Sequence, residues 1–142
     1  MRQDLGGGYE LDDDRDRIDR AAVHRYLAGE SYWAAGRPRG VVDDLVATAA
    51  RVVGLYHEGR QVGFTRTVSD AHTHSYLADV YVLPEHRGRG LGVALVRFTV
   101  DDGPFTRTKW LLHTADAHEL YRRFGFATPG ARTMERAGGG VP

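Results

Sequence analysis

Cysteine is absent from all 142 residues, and with it go disulfide staples, a thiolate nucleophile and any cysteine-held metal. A covalent acyl-cysteine mechanism is thereby excluded. Net charge is absent as well: 19 Lys plus Arg stand against 19 Asp plus Glu, so no overall field draws the chain to nucleic acid or to an anionic membrane. No run approaches the roughly 20 apolar residues that a bilayer span needs. Met1-Arg2-Gln3-Asp4 leads to Gly6-Gly7-Gly8 without the apolar stretch of a secretory signal. The expectation is a cytoplasmic protein with neither a nucleic-acid nor a membrane partner. No linker or repeat divides the chain, and its length suits one domain over 1–142 that buries its own core. Residues 137–142, rich in glycine, are expected to form a mobile tail.

What is present is concentrated in Arg87-Gly88-Arg89-Gly90-Leu91-Gly92, between a strand-like run, Leu77 to Leu83, and a helix-like run, Leu91 to Thr99. Glycines let the backbone turn tightly, take positive φ and approach a ligand, while the first amides of the following helix remain free as donors. A pyrophosphate is the natural guest of such a loop. No lysine follows the glycines, Lys109 being the only one nearby, so this is no Walker loop. A dinucleotide fingerprint would need glycine where Val93 stands and an acidic residue closing a second strand, whereas Asp101 and Asp102 end the helix itself.

The remaining pattern is mixed α/β. Tyr9 to Leu11 reads as a short strand, and Asp12-Asp13-Asp14 either complements a helix N-terminus or is a solvated charge run. Ile18, Ala22 and Tyr26 recur at helical spacing from Arg15 to Ala28. Gly29 to Gly40 reads as a loop, and Val41, Leu45, Val46 and Ala49 suggest a second helix. Arg51–His57 and Gln61–Val68 flank Glu58-Gly59-Arg60 as a hairpin, and Ser75–Leu83 is apolar on both faces, as a central strand would be. Trp110–Thr114, Ala117–Phe124 and Ala131–Arg136 follow as strand, short helix and last strand.

The glycine loop has the form R-x-x-G-x-G, and Ala117-x-x-Leu120-Tyr121-x-x-x-Gly125-Phe126 follows it in order. On these two segments the chain resembles the GNAT superfamily of acetyl-CoA-dependent N-acetyltransferases, most specifically from Arg51 to Arg136. The resemblance implies a mixed, mainly antiparallel central sheet flanked by helices, with the family's fourth and fifth strands splayed around the pantetheine arm. It implies main-chain contacts to that arm from Val80 and Val82, pyrophosphate amides from Gly88, Arg89, Gly90, Gly92 and Val93, and a loop shaped by Arg87. Thr114 stands where the family often has an asparagine that contacts the arm; threonine still hydrogen-bonds there.

The resemblance also makes Tyr121 the general acid for the departing thiolate, since a phenol with a reference pKa of about 10 stays protonated at neutral pH. Asp79 is the candidate base; the alternative is an ion pair with an arginine such as Arg66. By the two-residue period Asp79 and Tyr81 share a face, and Tyr81, Tyr32 and Trp33 are candidate acceptor-pocket residues, or else cap the core. Glu30, Asp43 and Asp44 could attract an amine. His72-Thr73-His74, with His113 and His118, lacks the spacing of a closed metal site, and no metal is expected. The co-substrate is then acetyl-CoA and the acceptor a small-molecule or peptide amine. Two further possibilities are a non-catalytic acyl-CoA sensor and a longer acyl donor. An exposed strand edge near the carboxyl end would permit a homodimer.

Overall fold

The computed structural model describes residues 1–139. The chain forms one six-stranded sheet whose spatial order follows the sequence, β1-β2-β3-β4-β5-β6. β1 (Arg2–Gly6) and β2 (Tyr9–Asp12) make a hairpin, and β3 (Arg51–His57), β4 (Arg60–Ser69) and β5 (His74–Val82) continue it antiparallel. β6 (Lys109–Leu112) then joins β5 in parallel. The mixed, mainly antiparallel sheet expected from the sequence is the one that forms.

Alternation along β3 distributes the core. Val52 turns to α1 (Arg20–Gly29) and α2 (Arg39–Thr48), packing with Val23, Leu27, Val42, Val46 and Phe64. Val53 and Leu55 turn to the other face, against Leu91, Leu95 and Phe98 of α3 (Leu91–Val100). Below the end of the sheet, Leu77 meets Val96, Val100 and Tyr121, the last on α4 (His118–Arg122). No helix among the described residues is long and apolar enough to cross a membrane.

Three elements differ from the sequence reading. The helix expected over 15–28 divides, because Asp14 caps a single tight turn at Arg15–Arg17, Ile18 is extended, and Asp19 begins α1 by accepting from the Ala22 amide at 2.9 Å. β1 is an addition, carrying only one half-buried apolar residue, Leu5, and hence no periodic signal. The last strand expected over Ala131–Arg136 is absent: that stretch is irregular and Met134 is 94% exposed. The exposed carboxyl-side edge of the sheet is therefore β6. The expected tail starts at 137, and its residues 140–142 lie outside the described range.

One irregularity positions the site. Phe64 pairs with Tyr81 and Arg66 with Ala78, so Asp79 and Val80 both stand opposite Thr65, with Asp79 at φ 55°. This is a β-bulge, and it reverses the strand's phase. Leu77 faces α3 and α4, whereas Tyr81, four residues on, faces α1 and α2. Gly63 lets β4 pass close to this region, because a Cβ there would lie 2.8 Å from the Tyr81 carbonyl oxygen and 3.1 Å from Leu55. Gly63→Ala is expected to cost about 1–3 kcal/mol through overpacking. Urea denaturation checks this, and an unchanged midpoint would show that β5 shifts freely.

Candidate active site

β5 and β6 are paired only from His74–Lys109 to Leu77–Leu112 and then separate. Which β5 amides face the opening is decided by the bulge. The Lys109 amide donates to Thr73, so odd-numbered positions up to Leu77 point their main chain toward β6. Beyond the bulge the Leu83 amide donates to Val62 of β4, which turns the Val80 and Val82 amides toward the opening. The Val82 carbonyl is taken by Arg87 Nε at 2.9 Å, leaving its N–H free at the edge.

Arg87 also donates through Nη2 to the Tyr26 hydroxyl at 2.9 Å, and Tyr26 stacks on Tyr81 with ring centroids 4.0 Å apart. The arginine thus ties the glycine loop to α1 and β5. Gly88 and Gly90 have φ of 77° and 76°, and Gly90 in this left-handed conformation opens α3 with no side-chain cap. Among the described residues the amides of Leu91, Gly92 and Val93 meet no protein acceptor. A Cβ at Gly88, Gly90 or Gly92 would meet no atom within 4 Å, so the loop leaves room above these donors. Room and free amides at a helix N-terminus suit a pyrophosphate.

Two cavities meet under this loop. One, of about 470 Å³, is lined by Arg87, Gly88, Gly90, Gly92, Val80, Val82 and Tyr121 among others; the second, of about 260 Å³, by Tyr32, Arg37, Arg66, Tyr76, Asp79, His113 and Thr114 among others. Trp33, Val80, Asp116, Ala117 and Tyr121 border both. Tyr121 is 8% exposed and packs edge-on against Phe126. Its hydroxyl makes no hydrogen bond to protein among the described residues and looks into the junction. Burial, helped by Tyr32 and by the carboxylate of Asp116, pushes its phenol up to about 12.

The other expected residues fall into place unevenly. Asp79 is buried and held on every side: Trp33 Nε1 donates to Oδ1 at 3.0 Å, while Arg37 Nη1 and Arg66 Nε donate to Oδ2 at 3.0 and 2.8 Å. The ion pair weighed from the sequence is thus present, with a second arginine. Trp33 does wall the junction. Tyr32 reaches across the second cavity to accept from the Ala115 amide at 2.8 Å, edge-on to Trp33. Tyr81 borders the first cavity but is 4% exposed in the α1–α2 core, where burial pushes its phenol up. Thr114 accepts from the Ala117 amide at 3.0 Å, setting the start of α4. Arg89 is exposed and Val93 half-buried, and neither side chain borders the cavity. Any part they play is through their amides.

Other groups were not singled out as site residues in the sequence. Arg37 sits in the Gly29–Gly40 loop, where the sequence reading picks out Tyr32 and Trp33 alone for the pocket, and Tyr76 reads only as a strand residue. The Tyr76 hydroxyl lies 2.6 Å from His113 Nδ1, and His113 Nε2 lies 2.5 Å from Glu135. With Glu135 accepting from Nε2–H, Nδ1 is left to accept from Tyr76. The carboxylate at the junction is Asp116; Glu30, Asp43 and Asp44 border neither cavity, and Asp43 pairs with Arg39 on α2. Among the described residues no three His, Cys, Asp or Glu cluster as a metal site would.

A glycine-rich strand-to-helix loop beside a splayed strand pair, with a tyrosine at the fork, is the arrangement that the sequence resemblance implies. A family model for the acetyltransferase (GNAT) domain matches residues 48–128, and the chain belongs to this family. A GNAT-family candidate acetyltransferase from Xanthomonas campestris pv. campestris is 36% identical, with a TM-score of 0.86 over 91% of this chain and 92% of that one. A candidate acetyltransferase of Gibberella zeae, FG08082, is 28% identical over 84% of this chain and 79% of its own length. A GNAT-family acetyltransferase from Brucella melitensis, solved in complex with acetyl-CoA, shares the fold at a TM-score of 0.65 and 20% identity, covering 84% of this chain and 83% of that one.

Proposed function

We propose that the protein transfers the acetyl group of acetyl-CoA to the primary amine of a small molecule or peptide, by direct attack with both substrates bound. The observation that carries this reading is the junction of the two cavities at Tyr121: the loop cavity takes the donor and the second cavity the acceptor.

Acetyl-CoA supplies an activated acyl thioester. Amides of the glycine loop and of α3's first turn hold its pyrophosphate, and the free edge of β5 at Val82 hydrogen-bonds its pantetheine arm as a neighbouring strand would. A β5 amide at the fork, that of Val80, which borders both cavities, donates to the thioester oxygen as it gains negative charge. The amine nitrogen forms the new C–N bond as the C–S bond breaks, and Tyr121 donates its proton to the departing sulfur. Tyr76, already donating to His113, offers the amine's proton a path out through the imidazole. Asp79, with both oxygens engaged, acts by positioning Trp33, Arg37 and Arg66.

Calorimetric titration with acetyl-CoA, followed by thiol release in the presence of amines, tests the proposal. The lack of cysteine means that a thiol reagent reads only coenzyme A. No binding by a folded sample would overturn it. Gly90→Val is expected to weaken acetyl-CoA binding by about tenfold to a hundredfold, because a β-branched residue resists φ of 76° and the loop amides would be re-aimed. The same titration reads this, and wild-type affinity would remove the loop from the site.

A further inference from the structure

We infer that the acceptor amine carries an anionic group, a carboxylate in the smallest case, which Arg66 and Arg37 receive in the second cavity. The inference rests on the acetyl-transfer reading and goes beyond it in naming the acceptor's chemistry. Two guanidiniums share one carboxylate there, both on Oδ2 of Asp79, whose other oxygen is taken by the Trp33 indole. All three charged side chains are largely buried, with 8%, 13% and 3% exposure for Arg37, Arg66 and Asp79. One positive charge is therefore uncompensated within the cluster. Buried charges ordinarily find partners, and an unmatched one is costly.

The donors are unfilled as well. Nη1 and Nη2 of Arg66 and Nη2 of Arg37 meet no acceptor among the described residues, and Arg37 Nε is enclosed without a partner. Both arginines border the cavity. Fixed by Asp79, their planar forks are oriented before any ligand arrives, which suits bidentate recognition of a carboxylate. The neighbouring acidic groups do not fill them. Glu135 is bonded to His113, and Asp116 lies at the Tyr121 end, where its charge raises the phenol's pKa. The cavity is thus polarised, with cationic donors at one end and a carboxylate beside the reacting junction. An ammonium at Asp116 and an anion at Arg66 would match both ends, and a volume of about 260 Å³ confines the acceptor to a small molecule or the end of a peptide.

The test compares amines that differ only in this charge: glycine, 3-aminopropanoate, 4-aminobutanoate and L-phenylalanine, each beside its primary amide. Acetyl-CoA binding is first measured by calorimetry; its absence would defeat the transferase reading itself. Given that binding, at least one acid should exceed its amide in kcat/KM by tenfold or more. Arg66→Met, which leaves Asp79 paired with Arg37, should raise KM for that acid at least tenfold, with a much smaller change in kcat, and bring the acid-to-amide ratio close to one. Arg66→Lys should recover part of the preference. Acetyl-CoA titration of each variant reports whether it has folded, and the wild-type panel stands even if neither variant folds. Amides used as well as or better than acids would overturn the inference. So would a protein that binds acetyl-CoA but neither acetylates nor calorimetrically binds any of the acids.

Discussion

Tyr121→Phe is expected to lower kcat by about 10²–10³-fold, within the range typical of a lost general acid, while acetyl-CoA affinity stays within a few-fold of wild type. The change removes one oxygen that bonds to no protein group among those described and leaves the ring against Phe126. Stability should hardly move, so a kinetic loss cannot be ascribed to unfolding. Burial holds the phenol up at about 12. An acid must be protonated to act, and a raised pKa keeps it so as pH rises. Activity should accordingly climb as the acceptor amine loses its proton and show no alkaline decline from Tyr121 below about pH 11. Single-turnover rates against pH, with wild type and variant compared, read both claims. Unchanged turnover in the variant would dismiss Tyr121 as the acid.

Asp79→Ala should produce the largest loss of stability, about 3–5 kcal/mol, because it strands two buried guanidiniums and releases the Trp33 indole. For a chain of this length that corresponds to a fall in melting temperature of roughly 10–20 °C. Asp79→Asn keeps an acceptor oxygen and tolerates φ of 55°, so its loss should be smaller. Thermal unfolding of the three proteins side by side separates two roles. A positioning residue loses stability in the order Asp, Asn, Ala. A residue whose removal abolished turnover at wild-type melting temperature would instead be the base first considered for it.

The glycine loop is legible in the sequence because its information is local: Gly88 and Gly90 are spaced where positive φ is needed, and α3 follows at once. The central strands were legible for the same reason, from β-branched and aromatic runs bounded by turns. Tyr121 became legible only through the spacing of the segment around it, since a tyrosine beside Leu120 and Phe124 otherwise reads as core. The cluster at Asp79 was half legible. A carboxylate in an apolar strand demands a partner, but Arg37 lies 42 positions away in a loop and nothing local joins the two. β1 escaped because an exposed strand with one apolar residue has no alternation to detect. The strand expected at Ala131–Arg136 failed for the converse reason: it has some strand character but no core to cover, its one large apolar residue, Met134, standing in solvent.

Val80 and Val82 were named for the coenzyme edge by position in the motif, yet strict alternation from Ser75 and Leu77 would give that edge to Asp79 and Tyr81 instead. The bulge reconciles the two, and it makes β5 a strand that counts its residues. Deleting Asp79 alone would restore an even pleat with Val80 opposite Thr65 and leave the Val80 and Val82 amides at the fork, whereas flattening the bulge with Asp79 retained would hand that edge to Asp79 and Tyr81. The bulge is therefore a place where β5 can lose a residue and still keep its edge in phase. Homologues or engineered variants that shorten β5 by one residue and keep the coenzyme edge should do so at this bulge.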